Sequence, residues 1–266
     1  MNKRVTGAFG VFFLLLELAI VPKSVELMMN RHLSALSPEQ IFSTAMTLGS
    51  IALCILMTYS ALSDKDSYPL HTFLFELTVL LCCAAPFTEL ITEALNTTGW
   101  PAMNMLANTV FYMVGINMTY VIMMYEYLII GERNKPVLKK TRYLATVLML
   151  LDNLATLLNI PYGFFFVITE NGMFQASPTY WTAYLAPGII ILLTVITAFR
   201  EMRPCRQQKA FIFFWIFGIL TSIIQMWRPS LSFQQAGYTL SLLVLYINIQ
   251  SELDVPCTIL KNQEER

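Results

Sequence analysis

The sequence predicts an all-α fold: a polytopic membrane helix bundle of eight transmembrane helices, a seven-helix core plus an extra N-terminal one, with a short β-hairpin in an outer loop. Three observations predict it. Of the 266 residues, 56% are apolar and only 13% charged, a combination that soluble chains rarely carry. The apolar residues gather in runs over about 5–22, 42–63, 72–95, 104–130, 143–166, 180–199, 210–227 and 232–250. Most of these runs come close to the ~20 residues that cross a hydrocarbon core. If the first run starts in the cytoplasm, all of the 17 basic residues except Lys23, Arg31 and Arg228 lie on the inner side. The positive-inside rule therefore predicts a multi-pass cell-membrane protein with cytoplasmic N- and C-termini. A formal net charge of zero hides that asymmetry and gives no sign of a nucleic-acid partner.

The first run follows a basic start, Lys3-Arg4, as a signal peptide would. However, Ala19 to Ser24 makes a poor cleavage site and Glu17 interrupts the apolar middle, so the reading is an uncleaved helix. Cleavage would leave seven helices and an outer N-terminus. Residues 1–39 supply this extra helix and the longest outer connection, 40–250 the seven-helix core, and 251–266 a short polar cytoplasmic tail around Pro256. Ser37-Pro38-Glu39-Gln40 reads as a helix start, with Ser37 as N-cap and Gln40 closing a capping box. Gly131 ends the fourth run, and the basic inner loop extends to Arg142. Between Val167 and Gln175, Asn171-Gly172 marks a tight hairpin turn on the outer face. Short loops imply an up-and-down bundle. No internal repeat is evident, so the inverted-repeat plan of many secondary transporters is not indicated.

Catalysis finds little support. His32 and His71 fall on opposite sides of the membrane, and neither HExxH, GxSxG nor a glycine-rich phosphate loop occurs. Asp152 is the one aspartate deep in a helix, where an intramembrane aspartyl mechanism needs two. Cys54, Cys82 and Cys83 lie in helices, and Cys205 and Cys257 face the cytoplasm. No disulfide, metal or cofactor is expected.

Ionisable groups inside a membrane mark a pathway, a site or an internal pair. Glu76 and Glu126, near the inner ends of their helices, read as snorkelling or as pairing with Arg142 or Arg200. Asp152, with Asn153, sits well inside the fifth run. It is either a hydrogen-bond hub or a ligand contact. At the outer ends Glu89 and Glu93 lie one turn apart on a shared face, and Asn104, Asn108, Tyr162, Tyr180, Trp181, Tyr184, Gln225, Trp227 and Arg228 lie at a similar level. An aromatic belt explains Trp181 and Trp227 taken singly. Taken together, the polar groups predict an outward-opening ligand pocket under the Val167–Gln175 loop. Its candidates are Glu89, Glu93, Asn108, Asp152, Asn153, Tyr162, Trp181, Gln225 and Arg228, with Arg228 paired to Glu89 or Glu93 when empty.

The order of segments carries a resemblance. It rests on Leu80 to Leu95 leading into Gly99-Trp100-Pro101; on Leu106-Ala107-Asn108 with Val110 to Gly115 and Tyr120; on Gly163 to Asn171 and Ser177-Pro178-Thr179-Tyr180-Trp181; and on Gln225 with Leu240 to Gln250. From about Gln40 to Glu252 the chain resembles the seven-helix N-terminal sensory module that gut Firmicutes place ahead of sensor histidine kinases and diguanylate cyclases. The resemblance implies a bacterial receptor of the two-component kind, whose last helix hands a signal to a cytoplasmic kinase, cyclase or regulator. The chain departs from it by the extra first helix, by stopping sixteen residues past Gln250, and by reading Phe87 to Glu93 where the family often has an aspartate and a tryptophan. The expected function is a membrane sensor of an extracellular or membrane-borne cue, without enzymatic activity. The expected partners are the bilayer, a small ligand in the outer half of the bundle and a cytoplasmic output protein; a homodimer is left open. Two other classes stay open: a small transporter using Asp152 and Glu17, and an assembly partner with no ligand.

Overall fold

The computed structural model describes residues 8–15, 17–19, 38–63, 69–96, 100–130, 136–201, 206–227 and 233–250. A first apolar helix, α1 (Ala8–Ala19), precedes α2 (Pro38–Ser63), α3 (Pro69–Leu95), α4 (Pro101–Ile130) and α5 (Pro136–Tyr162). Strands β1 (Phe166–Ile168) and β2 (Phe174–Ala176) follow, then a 3-10 turn (Tyr180–Tyr184), α6 (Leu185–Glu201), α7 (Arg206–Trp227) and α8 (Phe233–Gln250). The helices α2 to α5 each open on a proline, Pro38, Pro69, Pro101 and Pro136. At the first helical position the missing N–H is no loss and the fixed φ suits the helix. The capping side chains of Ser37 and Gln40, the helix stop at Gly131, Arg228 and the 251–266 tail lie outside the described residues.

Four segments are long and apolar enough to cross a membrane: Thr72–Thr92, Pro101–Ile129, Pro136–Tyr162 and Tyr180–Arg200. The apolar stretches of α1, α2, α7 and α8 are shorter, Ala8–Ala19, Ala45–Ser60, Gln208–Ile224 and Ala236–Asn248. The all-α expectation holds at this level, and the protein has the build of a membrane protein.

Each helix from α2 onward packs on the next, and α2 also packs on α8, which closes the bundle. The α4 helix is central, touching α3, α5, α6 and β1. Its counterpart α5 is peripheral. Along α5 only a thin stripe is buried, Leu138, Ala145, Asp152, Thr156 and Asn159, while Leu150, Leu151, Leu154, Leu157 and Leu158 are exposed, as suits a lipid-facing surface.

Polar side chains within the helices mostly bond to their own preceding turn. Thr109 donates to the Met105 carbonyl, Thr194 to Ile190 and Thr221 to Phe217. This is how a hydroxyl avoids an unmet bond where water is absent. Glu76 and Glu126 depart from their expected snorkelling. Both are fully buried. Trp215 Nε1 on α7 donates to Glu126 Oε2 at 3.2 Å, whereas both Glu76 oxygens lack a hydrogen-bond partner among the described residues. The packing of α3 and α4 against their neighbours puts these side chains on interior faces, and a glutamate cannot reach the bundle surface from there.

The expected hairpin forms, with Phe166, Val167 and Ile168 paired antiparallel to Ala176, Gln175 and Phe174. Its turn differs from an Asn-Gly pair in left-handed conformation. The Gly172 N–H donates to the Thr169 carbonyl at 2.8 Å, and Gly172 alone takes a positive φ of 79°. The result is a tight turn followed by a glycine bulge.

Candidate functional site

The hairpin is held to the bundle by asparagine amides. Asn159, on the last turn of α5, accepts from Phe165 N–H at 2.6 Å and Phe166 N–H at 3.3 Å and donates to the Phe166 carbonyl at 3.1 Å. Gly163, with φ 65°, then ends the helix, its N–H donating to the Asn159 carbonyl. Asn104 on α4 donates to the Gly172 carbonyl and to Asn96 Oδ1, both at 2.6 Å. Asn96 also accepts from Phe174 N–H, and Asn108 donates to Asn104 Oδ1 at 2.7 Å. Beneath the strands, Tyr112 stacks on Phe166 with centroids 5.3 Å apart, Phe166 stacks on Phe174, and Tyr180 meets the edge of Tyr112.

Under this aromatic roof lies a cavity of about 220 Å³. The α4 helix contributes Phe111, Tyr112, Gly115, Ile116, Met118 and Thr119; the 3-10 turn and α6 contribute Ala183, Tyr184, Pro187, Gly188 and Ile191. Ile219, Ser222 and Ile223 of α7 and Tyr238 of α8 complete the wall with Asp152 of α5. The lining residues most exposed to the exterior are Gly188, Ile219 and Ile223. The cavity therefore opens on the flank of the bundle between α6 and α7, within the apolar lengths of both helices.

Among the described residues, Asp152 is the only carboxylate in the lining. It is 9% exposed, and no described residue donates a hydrogen bond to it or sets a cation against it. The two small hydroxyls present are already committed as donors, Thr119 to the Gly115 carbonyl at 3.0 Å and Ser222 to the Gly218 carbonyl at 2.8 Å. What they offer the cavity is lone pairs. Neither Gly115 nor Gly188 has any atom within 4 Å of the place a Cβ would take. These two glycines leave the space open.

Among the described residues, Asp152 is the one pocket candidate that lines this cavity, together with Tyr184, which the sequence placed near the same level. Asn153 is turned to α4 instead, where its Oδ1 accepts from Asn117 Nδ2 at 3.0 Å. Asn108 belongs to the hairpin anchor. Tyr162 is 68% exposed and stacks on Phe164, and Trp181 is 59% exposed. Glu89 lies near Tyr184, at the edge of the cavity rather than in its lining. The side chains of Glu93 and Gln225, and all of Arg228, fall outside the described residues. Gly115, Gly188, Ser222 and Tyr238 escaped sequence reasoning because three are small and one is aromatic, so none breaks an apolar pattern. Among the described residues no group of His, Cys, Asp or Glu is placed to hold a metal. The chain matches no protein family, no curated protein and no solved structure.

Proposed function

We propose that the chain is a membrane-embedded sensory module that detects a membrane-borne small molecule in the Asp152 cavity and relays its presence through α7 and α8 to a cytoplasmic partner. The observation that carries this reading is the shared wall: one cavity touches the carboxylate on α5 and also Ser222 of α7 and Tyr238 of α8. The Tyr238 ring lies directly over Gly218 of α7, where an added Cβ would come within 2.7 Å of Tyr238 Cε1. An occupant that displaces Tyr238 therefore pushes α7 and α8 relative to one another, because tightly packed helices shift as units rather than deform. In this reading all eight apolar runs cross the bilayer, both termini are cytoplasmic, and the chain has the part played by the seven-helix sensory modules it resembles. A C-terminal alkaline phosphatase fusion is then inactive.

The test uses the whole protein in lipid nanodiscs. Spin labels at Lys209 and Ile247, exposed positions near adjoining ends of α7 and α8, report the distance between the helices. Gly188→Leu fills the cavity and serves as a tethered occupant. A shift in the label distance on that substitution supports the reading, and an unchanged distribution overturns it. Saturable solute flux in proteoliposomes, lost on Asp152→Asn, would identify a transporter instead.

A further inference from the structure

We propose that the ligand is a small lipophilic amine that enters from the hydrocarbon between α6 and α7 and places its ammonium group on the Asp152 carboxylate. The proposal deepens the sensory reading, and it rests on that reading only for its biological consequence. Four observations converge on this ligand chemistry.

The first is the missing counter-charge. A carboxylate taken out of water is costly unless a cation or several donors meet it. Asp152 has neither among the described residues. The amides that share α5 with it, Asn153 and Asn159, are committed elsewhere, to Asn117 and to the hairpin. The second is the polarity of the remaining lining. Thr119 and Ser222 spend their protons within their own helices and so present lone pairs to a ligand; the other hydroxyls of the lining belong to Tyr112, Tyr184 and Tyr238, that of Tyr184 bonded to Tyr180 at 2.8 Å. An anion meets the Asp152 carboxylate and no cation among the described lining residues, and a neutral alcohol can satisfy one acceptor where an ammonium satisfies three. Phe111, Tyr112, Tyr184 and Tyr238 add aromatic faces that attract a cation and pack an apolar body.

The third observation is size. An apolar cavity of roughly 150 Å³ takes benzene, so 220 Å³ admits one ring with a short side chain. The fourth is the route. With Gly188, Ile219 and Ile223 at the opening, a ligand arrives through lipid, which selects molecules that cross into the bilayer as the free base and take the proton of the Asp152 carboxyl group, leaving an ammonium paired with the carboxylate.

The test measures equilibrium binding of radiolabelled probes to the full chain in nanodiscs, with empty nanodiscs subtracted. The probes are benzylamine and 2-phenylethylamine, the neutral counterpart 2-phenylethanol and the anionic 3-phenylpropanoate. The expected result is saturable binding of at least one amine, about tenfold or more tighter than the alcohol, with no binding of the carboxylate. Asp152→Asn should erase the preference for the amine, and Gly188→Leu should abolish binding of both. The comparison of amine with alcohol on the wild type stands even where Asp152→Asn fails to fold. Equal affinity for amine and alcohol, an undiminished amine preference in Asp152→Asn, or no saturable binding of either amine overturns the proposal. Those outcomes are separable from failure of the sensory reading. The α7–α8 label distance can shift on Gly188→Leu while amine selectivity is absent, and amine can bind while that distance stays still.

Discussion

Replacing Gly237 by alanine adds a single methyl group at the α7–α8 seam, and its effect can be worked out from the distances. A Cβ at Gly237 would lie 2.2 Å from Thr221 Oγ1, 2.5 Å from Cγ2 and 2.7 Å from Cβ. Rotating Thr221 does not relieve the clash, because its Cβ is itself too close. Its hydroxyl is also tied to the Phe217 and Gly218 carbonyls, both at 3.0 Å. The backbones must therefore separate by about 1 Å to restore ordinary contact, which also lifts Tyr238 from Gly218. Overpacking of this kind costs about 1–3 kcal/mol, against which alanine returns about 1 kcal/mol of helix propensity. With three contacts under 3 Å, the net loss expected is about 1–2 kcal/mol. Gly115→Ala supplies the control, since nothing lies within 4 Å of its added Cβ. There only the propensity term acts, and a gain of about 1 kcal/mol is expected. The assay is equilibrium unfolding of both variants in the same detergent micelles. If Gly237→Ala proves as stable as Gly115→Ala, the close packing of α7 on α8 is not as described. Adding Thr221→Ala to Gly237→Ala should recover only part of the loss, because the Thr221 Cβ remains.

Three further outcomes are expected. Asn159→Ala removes the acceptor of two buried N–H groups and the donor to a carbonyl, so it should cost about 2–4 kcal/mol and raise amide exchange at Phe165 and Phe166; unchanged protection there would refute the anchoring. A double-mutant cycle between Asn117 and Asn153, with leucine as the replacement, should give a coupling of about 0.6 kcal/mol, typical of hydrogen bonds between membrane helices. Glu126→Gln keeps an acceptor for Trp215 Nε1 while removing a buried acid, so stability should hold or rise and Trp215 emission should stay the same; a loss beyond about 1 kcal/mol would show that the charge itself is needed.

The outline of the fold was readable because lipid imposes blunt constraints. Apolar runs and Asn171-Gly172 each report on one segment alone, and helices and hairpin followed from them. Asp152 could be singled out because a carboxylate in an apolar run needs a reason. Its neighbours were harder to foresee, since a helix apolar on every face carries little sign of which side turns inward. Asp152 and Asn153 illustrate the difficulty: adjacent in sequence, they face α5's two different neighbourhoods, one toward the cavity and the other toward Asn117. The pocket expected from outer-end polar residues mixed groups that share a depth with groups that share a face. Asp152 and Tyr162 stand ten residues apart on α5, about 15 Å along its axis and on different faces. The cavity itself depends on what is absent at Gly115 and Gly188, and missing atoms leave no pattern in a sequence.

The asparagine anchors of the hairpin also set an order of assembly. The strands lie between α5 and α6 in the chain, yet their side-chain bonds reach back to Asn96 at the end of α3 and to Asn104 at the start of α4. During synthesis these anchors leave the ribosome before the segment they hold, so the hairpin finds a prepared dock as soon as α3 and α4 have paired. The portion from α6 onward then joins a half-bundle whose roof is already in place. Loss of Asn104 would therefore show itself first as a delay in maturation, with the newly made chain open to protease around Glu170 while its membrane insertion proceeds at the normal rate.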